Sequence, residues 1–197
     1  VCSSDLGSPQ RRREFERFRQ NSPHLDRYAR FRAATDARQQ GWHSWPSRMQ
    51  SGILQAGDYD ESVYHFYLYS QWIVQEQLQQ LSLDARKMGS VLYLDLPLGL
   101  HREAFDVWRY PNLFVRNMSG GAPPDIVFTT GQNWEIPPMH PGRIREDRYA
   151  YIIDYIRNHL QFAGLLRIDH VMGLHRFFWI PEGFPCSEGV YVEYPAE

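Results

Sequence analysis

Apolar positions recur at helical spacing over much of this chain and then compress into two short runs. From Arg11 to Gln39 the sequence is charged, with Phe15, Phe18, Leu25, Tyr28 and Phe31 spaced along it. That pattern predicts one or two amphipathic helices, broken near Ser22-Pro23 where proline removes a backbone donor. Trp42-His43-Ser44-Trp45-Pro46 reads as a loop with two aromatics, and Gly52 to Asp60 as a linker in which Asp60 is placed to cap the next helix. Glu61 to Lys87 is the longest helical pattern: Val63, Phe66, Ser70, Ile73/Val74, Gln77/Leu78 and Leu81 follow the 3.6-residue period, and Gly89 ends it.

The two apolar runs read as strands. Val91 to Asp95 is the first, closed by Pro97. A Gly/Pro-rich and aromatic stretch follows, read as a long loop over 97–145. A second helix over 146–162 is marked by Tyr149, Ile152/Ile153, Ile156 and Leu160; Gly164 stops it and the strand Leu165–Asp169 begins. Helix, strand, long loop, helix, strand is the order of an α/β fold with a parallel sheet or barrel. A loop of this length after a strand usually carries function in α/β barrels.

The second strand holds the most informative chemistry. In Leu165-Leu166-Arg167-Ile168-Asp169-His170 an arginine and a carboxylate stand two residues apart, so on a strand they face the same way, with Leu166 and Ile168 opposite. A neighbouring guanidinium favours the ionised form of a carboxylate. Only that form attacks an anomeric carbon, so the pair suits a glycosyl-transfer nucleophile. A structural salt bridge at a strand end is the plain alternative.

Composition narrows the classes. A chain of 197 residues with 43% hydrophobic and 22% charged residues matches an ordinary globular protein. A net charge of −2 leaves no electrostatic footprint for nucleic acid or for an anionic membrane. Six Trp and twelve Tyr supply rings that stack on sugar C–H faces, although an aromatic core is the commoner use of such residues. Cys2 and Cys186 suggest neither a disulfide scaffold nor a metal site. There is no membrane-length apolar run and no signal-peptide pattern, so a cytoplasmic location is expected. Residues 1–8 resemble translated adaptor sequence, and the chain reads as an internal piece of a longer protein, with 9–197 forming an incomplete catalytic barrel domain.

Five segments in order carry a family resemblance: Val91-Leu92-Tyr93-Leu94-Asp95-Leu96-Pro97, Asp106-Val107-Trp108, Gly121-Ala122-Pro123-Pro124-Asp125, Thr130-Gly131-Gln132-Asn133-Trp134, and Leu165 through Leu174. Together they resemble the 4-alpha-glucanotransferases (amylomaltase, or disproportionating enzyme) of the glycoside hydrolase 77 type. The likeness runs from about Phe15 to the C-terminus and is densest from Asp95 to Pro181.

The resemblance implies a partial (β/α)8 TIM barrel with an inserted sugar-binding loop. It also implies transfer of α-1,4-glucan segments between maltodextrins, or to glucose, by a retaining double displacement without metal or organic cofactor. Asp169 sits where the family keeps its nucleophile and Arg167 at the matching arginine that orients it. Asp95 would bond a sugar hydroxyl or support Arg167, with capping of the turn at Pro97 as the structural alternative. Asp125, Gln132 and Trp134 match the sugar-contacting loop. His170 would contact a hydroxyl, or else lie buried behind the strand. Trp108 and Trp179 read as packing residues.

Two departures stand out. Trp134-Glu135-Ile136-Pro137 replaces the family's Trp-Gly-Asn-Pro or a close variant, and the Gly-Glu-Asp-Leu-Gly-type segment that holds the acid/base glutamate is missing. None of Glu182, Glu188 and Glu193 is promoted to that role. Two other readings therefore stay open: a catalytically incomplete glucan-binding module, and a hydrolytic α-amylase relative.

Overall fold

The computed structural model describes residues 7–194, and the chain divides into two compact units, Val1–Gly89 and Ser90–Glu197. Val1 to Leu6, most of the adaptor-like segment, lie outside the described residues. Ser8, the last residue of that segment, accepts from the Arg11 N–H and caps the first helix.

The first unit is helical: α1 (Pro9–Asn21), α2 (Leu25–Arg38), the single turn α3 (Ser47–Gln50) and α4 (Glu61–Lys87). The break between α1 and α2 falls at Ser22-Pro23. Asp60 caps α4, its Oδ1 accepting from the N–H groups of Ser62 and Val63, and Gly89 follows its last turn at φ +73°. Trp42 and Trp45 lie in a tight 3-10 turn and just after it, and both are buried anchors.

The span of α4 agrees with the periodicity, but its buried face does not. Tyr64, Leu68, Tyr69 and Trp72 face the core, whereas Phe66 is 52% and Leu81 54% exposed. Aromatic residues make this interface, and aliphatic hydropathy undervalues them. The Phe15 ring of α1 lies 5.3 Å from Trp72 and 6.4 Å from Tyr69. The Tyr64 hydroxyl donates to Asp26 of α2 at 2.6 Å, which satisfies its polar end. Arg11 lies 3.9 Å over Trp72 and grips Glu76 with two hydrogen bonds of 2.7 and 2.8 Å.

The second unit contains β1 (Tyr93–Leu96), α5 (Phe105–Arg109), β2 (Met118–Ala122), β3 (Gln132–Ile136), α6 (Pro141–Glu146), α7 (Ala150–Leu160), β4 (Leu165–Ile168), β5 (Arg176–Pro181) and β6 (Val190–Glu193). β1 and β4 pair in parallel, with Asp95 opposite Arg167, and α7 packs against both. This is the helix-linked parallel pairing of an α/β fold. A separate antiparallel sheet runs in the order β3-β2-β5-β6.

Four boundaries are corrected. The first strand is Tyr93–Leu96 and so starts after Val91 and runs past Asp95. The last strand read, 165–169, ends at Ile168, which leaves Asp169 just beyond it. The helix read over 146–162 is α7, Ala150–Leu160; it starts only after Arg148 and Tyr149, whose positive φ separates it from α6. The stretch 97–145, read as a loop, supplies α5, most of α6 and half of the antiparallel sheet. Its strand β2, Met118-Ser119-Gly120-Gly121-Ala122, has no apolar alternation because it is built for close approach. A Cβ on Gly120 would strike the Phe177 ring, and one on Gly121 the Gln132 carbonyl oxygen. The core of this unit includes Leu96, Val107, Trp108, Phe114, Ile144, Phe177, Phe178 and Ile180.

Candidate active site

Parallel pairing of β1 and β4 sets the geometry. Asp95 and Arg167 are Cα partners in register, and Asp169 follows the last residue of β4 with its N–H bonded to the Leu96 carbonyl at 3.2 Å. Arg167 therefore reaches two carboxylates from one guanidinium. Its Nη1 donates to Asp95 Oδ2 at 2.6 Å and its Nη2 to Asp169 Oδ1 at 2.8 Å. The hydrogen bond and charge of Asp95, then the charge of Asp169, raise the Arg167 pKa above its ordinary value. All three side chains are about half-exposed, between 50 and 58%. One oxygen of each carboxylate, Asp95 Oδ1 and Asp169 Oδ2, has no partner among the described residues.

A second group lies beside Asp169. His170 turns the chain sharply at φ +46°, and its ring meets Trp134 edge-on with centroids 5.1 Å apart. Trp134 stacks on Phe177 at 6.1 Å and donates from Nε1 to Gln132 Oε1 at 3.1 Å. His170 Nε2 is shielded from solvent and has no hydrogen-bond partner among the described residues. The histidine is thus half-buried, with one ring nitrogen left unpaired. Burying an unpaired polar atom costs free energy unless something completes it.

Asp125 does something different. Its Oδ1 accepts from the N–H groups of Val127 and Phe128 at 2.7 and 2.6 Å, closing a turn whose tip, Ile126 to Phe128, is exposed. It shares no hydrogen bond with the Arg167 cluster. The structure brings together Asp95, Arg167 and Asp169 in one cluster, and His170, Trp134 and Gln132 in another adjoining it. Trp108 is buried in the core, while Trp179 is only partly buried.

Sequence reasoning missed several supporting groups. Tyr155 of α7 donates to the Pro97 carbonyl at 3.1 Å, tying that helix to the end of the strand that carries Asp95, and burial pushes its phenol up to about 12. The Tyr151 hydroxyl donates to Asp106 at 3.0 Å, and burial drives its pKa far above the ordinary phenol range. Both tyrosines fall on one face of the α7 pattern, which was the available signal. They line an apolar cavity of about 70 Å³ whose walls also include Asp169 and His170.

Glu182 forms an ion pair with Arg102 at 2.9 Å. Glu135 sits at φ +56°. That conformation costs a non-glycine residue on the order of 1 kcal/mol. Among the described residues there is no cluster of three or more His, Cys, Asp or Glu that could hold a metal, and no helix long and apolar enough to cross a membrane.

The chain is similar to known proteins over most of its length. The family model described as 4-alpha-glucanotransferase matches residues 3–197. The 4-alpha-glucanotransferase of Mycobacterium tuberculosis is 34% identical over 176 residues, covering 86% of this chain and 24% of that protein. The Haemophilus influenzae 4-alpha-glucanotransferase is 42% identical over 132 residues, covering 66% of this chain and 19% of that protein. The crystal structure of amylomaltase from Corynebacterium glutamicum superposes with a TM-score of 0.81 at 28% identity, over 95% of this chain and 26% of that one. The chain thus spans about a quarter or less of these relatives' length. With the family model matched over nearly its whole length, the chain belongs to the 4-alpha-glucanotransferase family of glycoside hydrolase 77.

Proposed function

We propose that this chain is the nucleophile-bearing part of an enzyme that transfers α-1,4-glucan segments between maltodextrins, on a (β/α)8 barrel of which β1, α7 and β4 form one unit. The observation that carries the reading is the guanidinium of Arg167 bridging Asp95 and Asp169 while an oxygen of Asp169 stays open. A retaining transfer needs a carboxylate aimed at the anomeric carbon, and a second carboxyl group about 5 Å away that protonates the departing oxygen and then activates the acceptor hydroxyl. Asp169 is the nucleophile. Arg167 holds one of its oxygens so that the other is directed, and Asp95 fixes Arg167 from the far side. When the Asp169 oxygen attacks, the C1–O bond to the departing glucan breaks and a glycosyl ester forms. The acceptor hydroxyl then displaces the ester and returns the carboxylate.

Trp134 offers a stacking face for a sugar ring. Gln132 orients Trp134, and His170 Nε2 is the group a sugar hydroxyl would complete. Asp125 acts on the sugar loop by closing its turn. The acid/base carboxyl is assigned to none of the glutamates of this chain, since the Gly-Glu-Asp-Leu-Gly-type segment that holds it in the resembling family is missing. The partners are α-1,4-glucans, with glucose as an acceptor. The chemistry needs neither metal nor organic cofactor, and a cytoplasmic location suits it.

The test is to incubate protein extended through the parent gene with maltotriose and resolve the products by chain length. Glucose together with a ladder of longer maltodextrins supports transfer. Glucose and maltose without longer products would make the protein a hydrolase. An unchanged substrate would favour a glucan-binding module, the reading that the missing acid/base glutamate motivates.

A further inference from the structure

We propose that a polar cleft formed by Arg102, Ser119, Asn133, Glu135 and Glu182 is a second contact site for a neutral sugar unit, on the face of β3 opposite Trp134, with the Glu135 carboxylate as its main acceptor. The identity of the ligand as α-glucan rests on the proposed function; the site rests on its own geometry.

The cleft has a volume of about 190 Å³. That is below the about 300–1,000 Å³ of a site for a drug-sized ligand, and suits one sugar ring rather than a chain. Successive side chains of a strand point to opposite faces, so Asn133 points away from the side on which Gln132 and Trp134 bond each other. The cleft polar groups are partly committed and partly open. Asn133 Oδ1 accepts from Ser119 Oγ at 2.6 Å and from the Glu135 N–H at 3.0 Å, which orients the amide and leaves its NH2 as a donor. Glu182 Oε1 takes Arg102 at 2.9 Å, leaving Oε2. The Glu135 carboxylate has no partner among the described residues, although its backbone is held at φ +56°. Met118 and Pro137 add apolar wall.

The balance of groups decides the ligand class. Two carboxylates against one guanidinium disfavour an anion. Only two carboxylates line the cleft, and no cluster of three or more metal-ligating side chains occurs among the described residues, which leaves a divalent cation without a ligand set. A neutral polyol remains, whose vicinal hydroxyls donate to carboxylate oxygens and accept from the amide.

The experiment is a backbone amide NMR titration of the 197-residue chain with maltotriose, repeated with Glu135→Gly and with Asp169→Asn. Glycine accepts the positive φ, so Glu135→Gly removes the acceptor without endangering the fold. Shifts at Ser119, Asn133 and Gly183 are expected. Their midpoint should move about tenfold to higher maltotriose in Glu135→Gly and stay put in Asp169→Asn. Shifts confined to Trp134, Asp169 and His170, or a midpoint unmoved by Glu135→Gly, would overturn the cleft while leaving glucan transfer standing. Absence of shifts at either place would also overturn the cleft, and the product ladder of the extended protein would judge transfer separately.

Discussion

Two arginine–carboxylate arrangements, one in each unit, look alike on paper and differ in what they leave unfinished. In the helical unit Arg48 meets both oxygens of Asp58 at 2.8 Å, and Asp58 also accepts the Gln55 N–H at 2.7 Å. The Asp58 side chain is 11% exposed. Both carboxylate oxygens are engaged, and the pair closes the segment ahead of α4. In the second unit Arg167 divides itself between Asp95 and Asp169, each half-exposed and each with an oxygen to spare. Saturated, sheltered geometry stabilises a loop. Divided, open geometry orients a carboxylate and leaves it able to react, at little benefit to stability in solvent.

The largest effect should separate the two outright. Asp169→Asn in the extended protein is expected to lower transfer by at least about 10³-fold, since an amide cannot form the glycosyl ester. Maltotriose binding should survive, and transfer at the wild-type rate would remove Asp169 from the mechanism. Arg167→Lys comes next: a point charge cannot serve two carboxylates as a planar fork does. We expect kcat to fall by about 10²-fold with a smaller change in KM and almost no shift in the unfolding midpoint. A large loss of stability with normal kcat would make this pair structural like the first.

Asp58→Asn should reverse that profile, costing about 1–2 kcal/mol of stability by urea unfolding while transfer is unchanged. Its acid dependence has a definite sign. The hydrogen bond from Arg48 holds the Asp58 carboxyl below its ordinary value. The stability it contributes is therefore full above the unfolded value of about 3.9 and is lost as pH falls through the lower folded value. The urea midpoints of wild type and Asp58→Asn should converge at that acid end; a constant gap across the range would deny the linkage. The smallest effect is Arg143→Ala. Its pair with Glu146 is exposed on both sides, so a change within about 0.5 kcal/mol is expected, and a larger one would mean that exposure is a poor guide here.

Helix α4 was legible to the residue because its cap, period and terminal glycine all lie within its own sequence. Its inward face was not. Tyr64, Tyr69 and Trp72 are polar-edged residues whose burial depends on Asp26 and Phe15 arriving from other helices. The antiparallel sheet was illegible for a related reason. Gly120 and Gly121 look like loop residues until Phe177 and Gln132, distant in sequence, occupy the space beside them.

By itself the sequence determined helix α4, the two short strands that carry Asp95 and Arg167, the two-residue spacing of Arg167 and Asp169, and the family motifs, because period, spacing and short motifs are local. Only the tertiary structure decided that Asp95 stands in register with Arg167, that His170 meets Trp134, and that Glu135 opens onto a cleft. Those relations join residues from different strands and turns, and pairing register and side-chain packing are set by partners that no local pattern names.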